Sequence, residues 1–158
     1  MERVVSNLSH QNQGIVLSTV RIIIKYLDYV SNSEIIRTMC RRVTPVLVTL
    51  MTGEHEFQYI VLKNINVIIQ KRPMILESEI KMFFCRFSDP HYIKLEKLEI
   101  LLKLANESNI DQILHELKEY VDEVDVAFVR KCVRTFGRLA IKLEKMADKC
   151  VHALFECW

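Results

Sequence analysis

The chain has 158 residues, half of them apolar, with 22 basic and 20 acidic side chains and a formal charge of only +2. It therefore has material for a sizeable core, which argues against disorder, and it lacks the global field that would draw in nucleic acid or an anionic membrane. Only three Gly and three Pro stand among many Leu, Ile, Val, Lys and Glu, a composition that predicts an all-α fold of long helices rather than turn-rich β structure.

Met1-Glu2-Arg3 runs into Ser, Asn, His and Gln, without the apolar segment of a secretory signal. The opening reads as the tail of a helix, and Gln11-Asn12-Gln13-Gly14 forms a polar break before a first long helix that is expected to run to about Val30. Ser31-Asn32-Ser33 offers an N-cap for a helix over Glu34 to Arg42. Thr44-Pro45 reads as a second cap with proline at the first helical position, which predicts a break or kink near residue 44 and helix onward to Met51. The stretch Val43 to Gly53 carries no charge but is far short of the roughly 18 apolar residues a bilayer span needs.

Gly53 suits a left-handed position, and Glu54 to Gln70 predicts a helix stopped by Pro73, with Lys71 and Arg72 at its end. Its partner is expected over Ile75 to Phe87. Asp89-Pro90 repeats the cap-plus-proline device ahead of His91 to Asn106, and Asn109-x-x-Gln112 has capping-box spacing for a helix ending near Val121. Asp125 caps the helix carrying Phe128 to Lys145, and a short helix spans Ala147 to Phe155. The sum is about eight helices in four pairs, with no linker dividing residues 1–158.

Four of these helices repeat one another, starting at Ile15, Phe57, Tyr92 and Phe128, at offsets of 42, 35 and 36 residues. Such spacing points to helix pairs stacking into an α-solenoid of the HEAT/armadillo-like kind. Val20, Leu62 and Val133 match at the fifth step, and Ile23, Ile65, Ile100 and Phe136 at the eighth. Leu27, Ile69, Leu104 and Ala140 match at the twelfth, all on one helix face. Lys97 interrupts the fifth-step series, where Leu98 is expected to take over. Both ends are equally apolar, so the array is expected to continue past both termini.

Candidate chemistry is sparse. Glu54-His55-Glu56 resembles part of a metalloprotease element, but position 59, where a second histidine would fall, is Tyr59. Cys150, His152 and Cys157 have no CxxC pair and no fourth ligand nearby, so buried thiols and a surface imidazole explain them better than zinc. The acid pairs Glu116/Glu119 and Asp122/Glu123 read as solvated faces, and there is neither a Gly-rich phosphate loop nor a nucleophile elbow. No catalytic, cofactor or metal residues are assigned, and the chain reads as a non-enzyme. Its five widely spaced cysteines, an odd number, suit a reducing compartment, with the cytosol expected.

Two basic groups remain. Arg37, Arg41 and Arg42 share one helix while Lys71 and Arg72 end the next, and stacking would join them as a contact patch for acidic lipid or protein. The plainer reading is charge complementing a helix C-terminus. Asn64 and Asn66 are poor helix formers; at least one is expected to be buried and bonded across to a neighbouring helix. Gly137, mid-helix, is expected to permit a close helix approach.

The run Gln58-Tyr59-Ile60-Val61-Leu62-Lys63-Asn64-Ile65 through Arg72-Pro73 closely resembles the trunk of the β-adaptins, the large β subunits of clathrin adaptor complexes. Tyr92-Ile93-Lys94-Leu95-Glu96-Lys97-Leu98-Glu99 does so too, as does Leu117 to Tyr120 continuing through Asp125 to Phe128-Val129-Arg130-Lys131-Cys132-Val133-Arg134. The likeness extends from about Leu8 to Phe155.

This resemblance implies a superhelical scaffold in vesicle-mediated intracellular protein transport. The implied partners are the medium (μ), small (σ) and second large adaptor subunits, with clathrin reached only through regions absent here. It further implies cytoplasmic residence and, through the complex, peripheral association with Golgi, endosomal or plasma-membrane coated vesicles. The chain would be an interior piece of the trunk, with Met1 an imposed or truncated start. The alternative is a solenoid receptor of karyopherin or nucleic-acid-binding type, which needs a ladder of Trp/Asn or Arg/Lys. A single Trp, the last residue, and mixed charges do not supply it.

Overall fold

The structure, a computed structural model, describes residues 2–157, and among them there is helix and no β-strand. It comprises two compact units, Met1–Ser78 and Glu79–Trp158, with the all-α, solenoid-type packing that the periodicity predicts.

The first unit opens with the short helix α1 (Glu2–Val5) and a 3-10 turn over Ser6–Ser9, followed by α2 (Gln13–Leu27), α3 (Ser33–Leu50) and α4 (His55–Lys71). Asn12 caps α2 by accepting from the Gly14 and Ile15 amides, and Asn32 caps α3 through Glu34 and Ile35, so each polar break holds a local start signal. α2 packs on α3 and α4, and α3 on α4, the neighbour-and-next-neighbour pattern of stacked hairpins. Val20, Ile23 and Leu27 on α2 and Leu62, Ile65 and Ile69 on α4 lie at the matching positions of the repeat and are all buried.

Residue 44 is not a break. α3 runs through Pro45, which lies on the exposed face while Val43, Leu47 and Leu50 stay in the core, so packing carries the helix past the lost amide. Thr44 Oγ1 lies 3.0 Å from the Cys40 carbonyl and 2.7 Å from that of Ile75, fastening this turn to the segment after α4. Gly53 has no positive φ, so the left-handed role expected of it is absent.

The second unit contains α5 (His91–Leu104), α6 (Ile110–Val121), α7 (Val126–Lys142), a 3-10 turn over Glu144–Met146, and α8 (Ala147–Phe155). α5 packs on α7, α6 on α7 and α8, and α7 on α8. Ile100, Leu104 and Phe136 occupy the predicted depths and are buried, whereas Val133 and Ala140, expected on the same face, are only half-buried. Asp125 caps α7, as expected, accepting from Ala127 at 3.0 Å and Phe128 at 3.1 Å.

The helix expected over residues 75–87 is replaced by 3-10 turns over Pro73–Ile75 and Glu77–Phe83, kinked at Glu79, and then by irregular chain. Side chains take the backbone groups that a helix would use. Cys85 N–H donates to Tyr120 Oη (2.7 Å), Arg86 N–H donates to Asp89 Oδ2 (2.9 Å), and Lys97 Nζ reaches the Phe84 carbonyl (3.4 Å). Asp89 is thereby withdrawn from capping α5.

Asn109 does not make the predicted capping box either. Buried, it accepts from Asn106 N–H and donates to the Leu104 carbonyl, joining the end of α5 to the start of α6.

Candidate functional site

The basic residues singled out from the sequence divide into two sets. Arg37, Arg41 and Arg42 project from α3 as exposed side chains. Lys71 and Arg72 reach across to the end of α2: Lys71 Nζ, still exposed, donates to Asp28 Oδ2 at 2.8 Å, and Arg72 Nη2 donates to the Leu27 carbonyl at 2.7 Å. The Lys71 hydrogen bond holds the Asp28 carboxyl below its ordinary range against the opposing effect of burial. Both side chains thus meet a helix C-terminus, that of the neighbouring helix rather than their own.

Lys142, at the end of α7, does the same for α5. Its Nζ lies 2.8 Å from the Leu102 carbonyl, 2.7 Å from that of Lys103 and 2.8 Å from that of Ala105. Three ammonium protons thus meet three carbonyls at the end of α5.

Of the two asparagines, neither is fully buried. Asn64 is half-buried and donates to Ile60 O of its own helix at 2.7 Å, not across to a neighbour; Asn66 is also half-buried. Gly137 is exposed, and a Cβ there would meet nothing within 4 Å, so it does not mark a close helix approach. α7 tolerates this glycine without needing it.

Between α2 and α4 lies a groove of about 180 Å³, lined by Arg21, Ile24, Lys25 and Asp28 on one side and by Asn64, Val67, Ile68 and Lys71 on the other. Ile24 and Ile68 are buried and form an apolar floor, while Val67 is 62% exposed. Arg21 and Lys25 are exposed and, among the described residues, have neither an ion pair nor a side-chain hydrogen bond.

The second unit carries a buried polar cluster that sequence reasoning missed. Lys97 Nζ sits 2.5 Å from Asp89 Oδ2, the two side chains 3% and 4% exposed, and Lys94 Nζ sits 2.5 Å from Glu123 Oε2 and 5.1 Å from the Phe128 ring centroid. Leu98 is buried as expected, but alongside Lys97 rather than in its place. Tyr120 Oη donates to Glu116 Oε2 while accepting from Cys85 N–H. Glu116 and Glu123 are therefore not the solvated acids they resemble in the sequence. The available signal was Lys97 itself, a charge at a depth where the other three repeats carry Val or Leu.

Burial pushes the Cys85 and Cys132 thiols up to about 12, leaving neither poised as a nucleophile. His55 meets Gln58 at 3.4 Å, and among the described residues no three of His, Cys, Asp or Glu converge as metal ligands. No helix among these residues is long and apolar enough to cross a membrane. The arrangement offers helix faces and grooves for contact.

Residues 1–157 match the family described as the adaptin N terminal region. The chain belongs to the adaptins. It is 50% identical over 156 residues to the human AP-1 complex subunit beta-1 and 49% identical over 155 residues to the AP-1 complex subunit beta of Dictyostelium discoideum, each alignment covering 98% of the chain. Identity to the AP-2 complex subunit beta of Schizosaccharomyces pombe is 38% over 156 residues. These are β subunits, in agreement with the β-adaptin resemblance of the Gln58 to Pro73, Tyr92 to Glu99 and Leu117 to Arg134 stretches. The chain spans 16% of the length of the two AP-1 relatives and 23% of the AP-2 relative.

Proposed function

We propose that this adaptin segment is a non-enzymatic scaffold within the β subunit of a clathrin adaptor complex, serving vesicle-mediated protein transport through contacts with the medium, small and second large subunits. The observation that carries this reading is the β-adaptin likeness along nearly the whole chain. The packing fits such a role, because helix pairs joined face to face present long surfaces and adjust by small increments at each interface. The protein would then reside in the cytoplasm and reach Golgi, endosomal or plasma membranes through the assembled complex.

Affinity purification of the endogenously tagged protein tests this. Co-recovery of medium and small adaptor subunits is the expected result. Salt-sensitive recovery of RNA without those subunits would favour a nucleic-acid-binding solenoid instead.

A further inference from the structure

We propose that the groove between α2 and α4 docks an extended acidic peptide segment with one aliphatic side chain. Three features of the groove define this ligand, and none depends on which adaptor complex the chain serves.

The first feature is charge. Arg21 and Lys25 are one helical turn apart on α2, line the same groove, and have no ion-pair or side-chain hydrogen-bond partner among the described residues, whereas Lys71 and Asp28 at its far end neutralise each other at 2.8 Å. The slot therefore keeps two uncommitted cations, which suit carboxylates spaced along a peptide.

The second is shape and polarity. Ile24 and Ile68 floor the groove, Val67 stands exposed at its edge, and a volume of about 180 Å³ accommodates an aliphatic side chain rather than a folded domain.

The third is Asn64. Its amide nitrogen donates to Ile60 O at 2.7 Å, which fixes the side chain and leaves the Oδ1 acceptor available to a peptide N–H. An asparagine in a helix interior, where it is a poor helix former, is accounted for by such a contact. Asn64, not the already engaged Lys71 and Arg72, joins Arg21 and Lys25 as the contact set.

Fluorescence anisotropy with a fluorescein-labelled decapeptide, Gly-Ser-Glu-Glu-Ser-Val-Glu-Ser-Gly-Ser, tests the proposal on the 158-residue chain. Saturable binding is expected below about 1 mM, weakened roughly tenfold or more by R21E/K25E and at least about threefold by N64A. Replacing the peptide's Val by Ser, or its three Glu by Gln, is expected to weaken binding comparably. Circular dichroism and thermal melts of both variants check that the substitutions leave the fold intact.

Absence of saturation, or binding indifferent to R21E/K25E, overturns the proposal. So does retention on anionic phospholipid vesicles that is lost in R21E/K25E while the peptide fails to bind, because the cations would then serve a membrane surface.

Discussion

Lys142 donates its ammonium protons to the carbonyl of Leu102 and to those of Lys103 and Ala105, closing the C-terminus of α5 from the end of α7. In the first unit Arg72, at the end of α4, closes the C-terminus of α2 through the Leu27 carbonyl. The same device recurs in both units: a cation ending the first helix of one pair satisfies the end of the first helix of the pair before. It couples stacking to backbone satisfaction, since exposed carbonyls at a helix end cost free energy when buried without a partner.

Replacing Lys142 by Met keeps the aliphatic stem and removes the donors. The expected result is a loss of about 1–3 kcal/mol in urea unfolding, with the far-ultraviolet signal otherwise unchanged. A variant as stable as the parent would show that water replaces the ammonium at no cost.

The Lys97–Asp89 pair is buried on both sides. Removing one partner strands the other charge, so K97M alone is expected to cost about 3–5 kcal/mol. Combined with D89L it is expected to recover a large part of that loss. A double variant no better than the single one would mean that the segment from Phe84 to Asp89 needs Asp89 for its turn, through the Arg86 amide, more than for charge balance.

Gly137 sits on an exposed helical face with open space around its missing Cβ. Substitution by Ala is expected to stabilise the protein by up to about 1 kcal/mol, seen as a raised Tm. A lowered Tm would reveal a contact at this position.

Asp125 ties the start of α7 to α5. The Phe128 amide first, and His91 at 2.6 Å next, hold its carboxyl below the ordinary carboxylate range. A carboxyl lowered in the folded state stabilises it fully above the unfolded pKa, and that stabilisation disappears as pH falls through the folded pKa. Acid titration of the parent is therefore expected to show a loss below about pH 4 that D125N, already lacking the charge, does not share.

Burial holds the Cys85 and Cys132 thiols at about 12. In the native protein at neutral pH the buried Cys132 is expected to react with iodoacetamide far more slowly than the half-buried Cys157, with all five equalising in denaturant. Mass spectrometry of partially alkylated protein reads the order directly.

What the sequence made legible was local or periodic. Asn32 and Asp125 cap as expected because each side chain bonds amides two and three residues on, Asn12 does the same from within the polar break, and the repeated apolar depths set which faces stack. Misreadings occurred where a distant group outcompeted the local one. Asp89 and Asn109 have cap chemistry, but Lys97 claims the first, and the Leu104 carbonyl and Asn106 amide claim the second. The helix expected after α4 failed for the same reason, its Cys85 amide captured by Tyr120 thirty-five residues away. Pro45 misled in the opposite sense, since core contacts on the far face of α3 outweighed a proline on the solvent side. As for the contact residues, charge type was visible but direction was not. Lys71 and Arg72 looked available and are occupied, while Arg21 and Lys25, the two charged residues of α2, stayed inconspicuous within a largely apolar helix.

Cross-linking mass spectrometry on the endogenously tagged complex tests the scaffold reading most directly, using the exposed amines of Lys25, Lys63 and Lys145. Cross-links from these lysines to the medium, small or second large adaptor subunit are the predicted result. Cross-links confined to this chain, or leading only to proteins outside the adaptor complex, would contradict it.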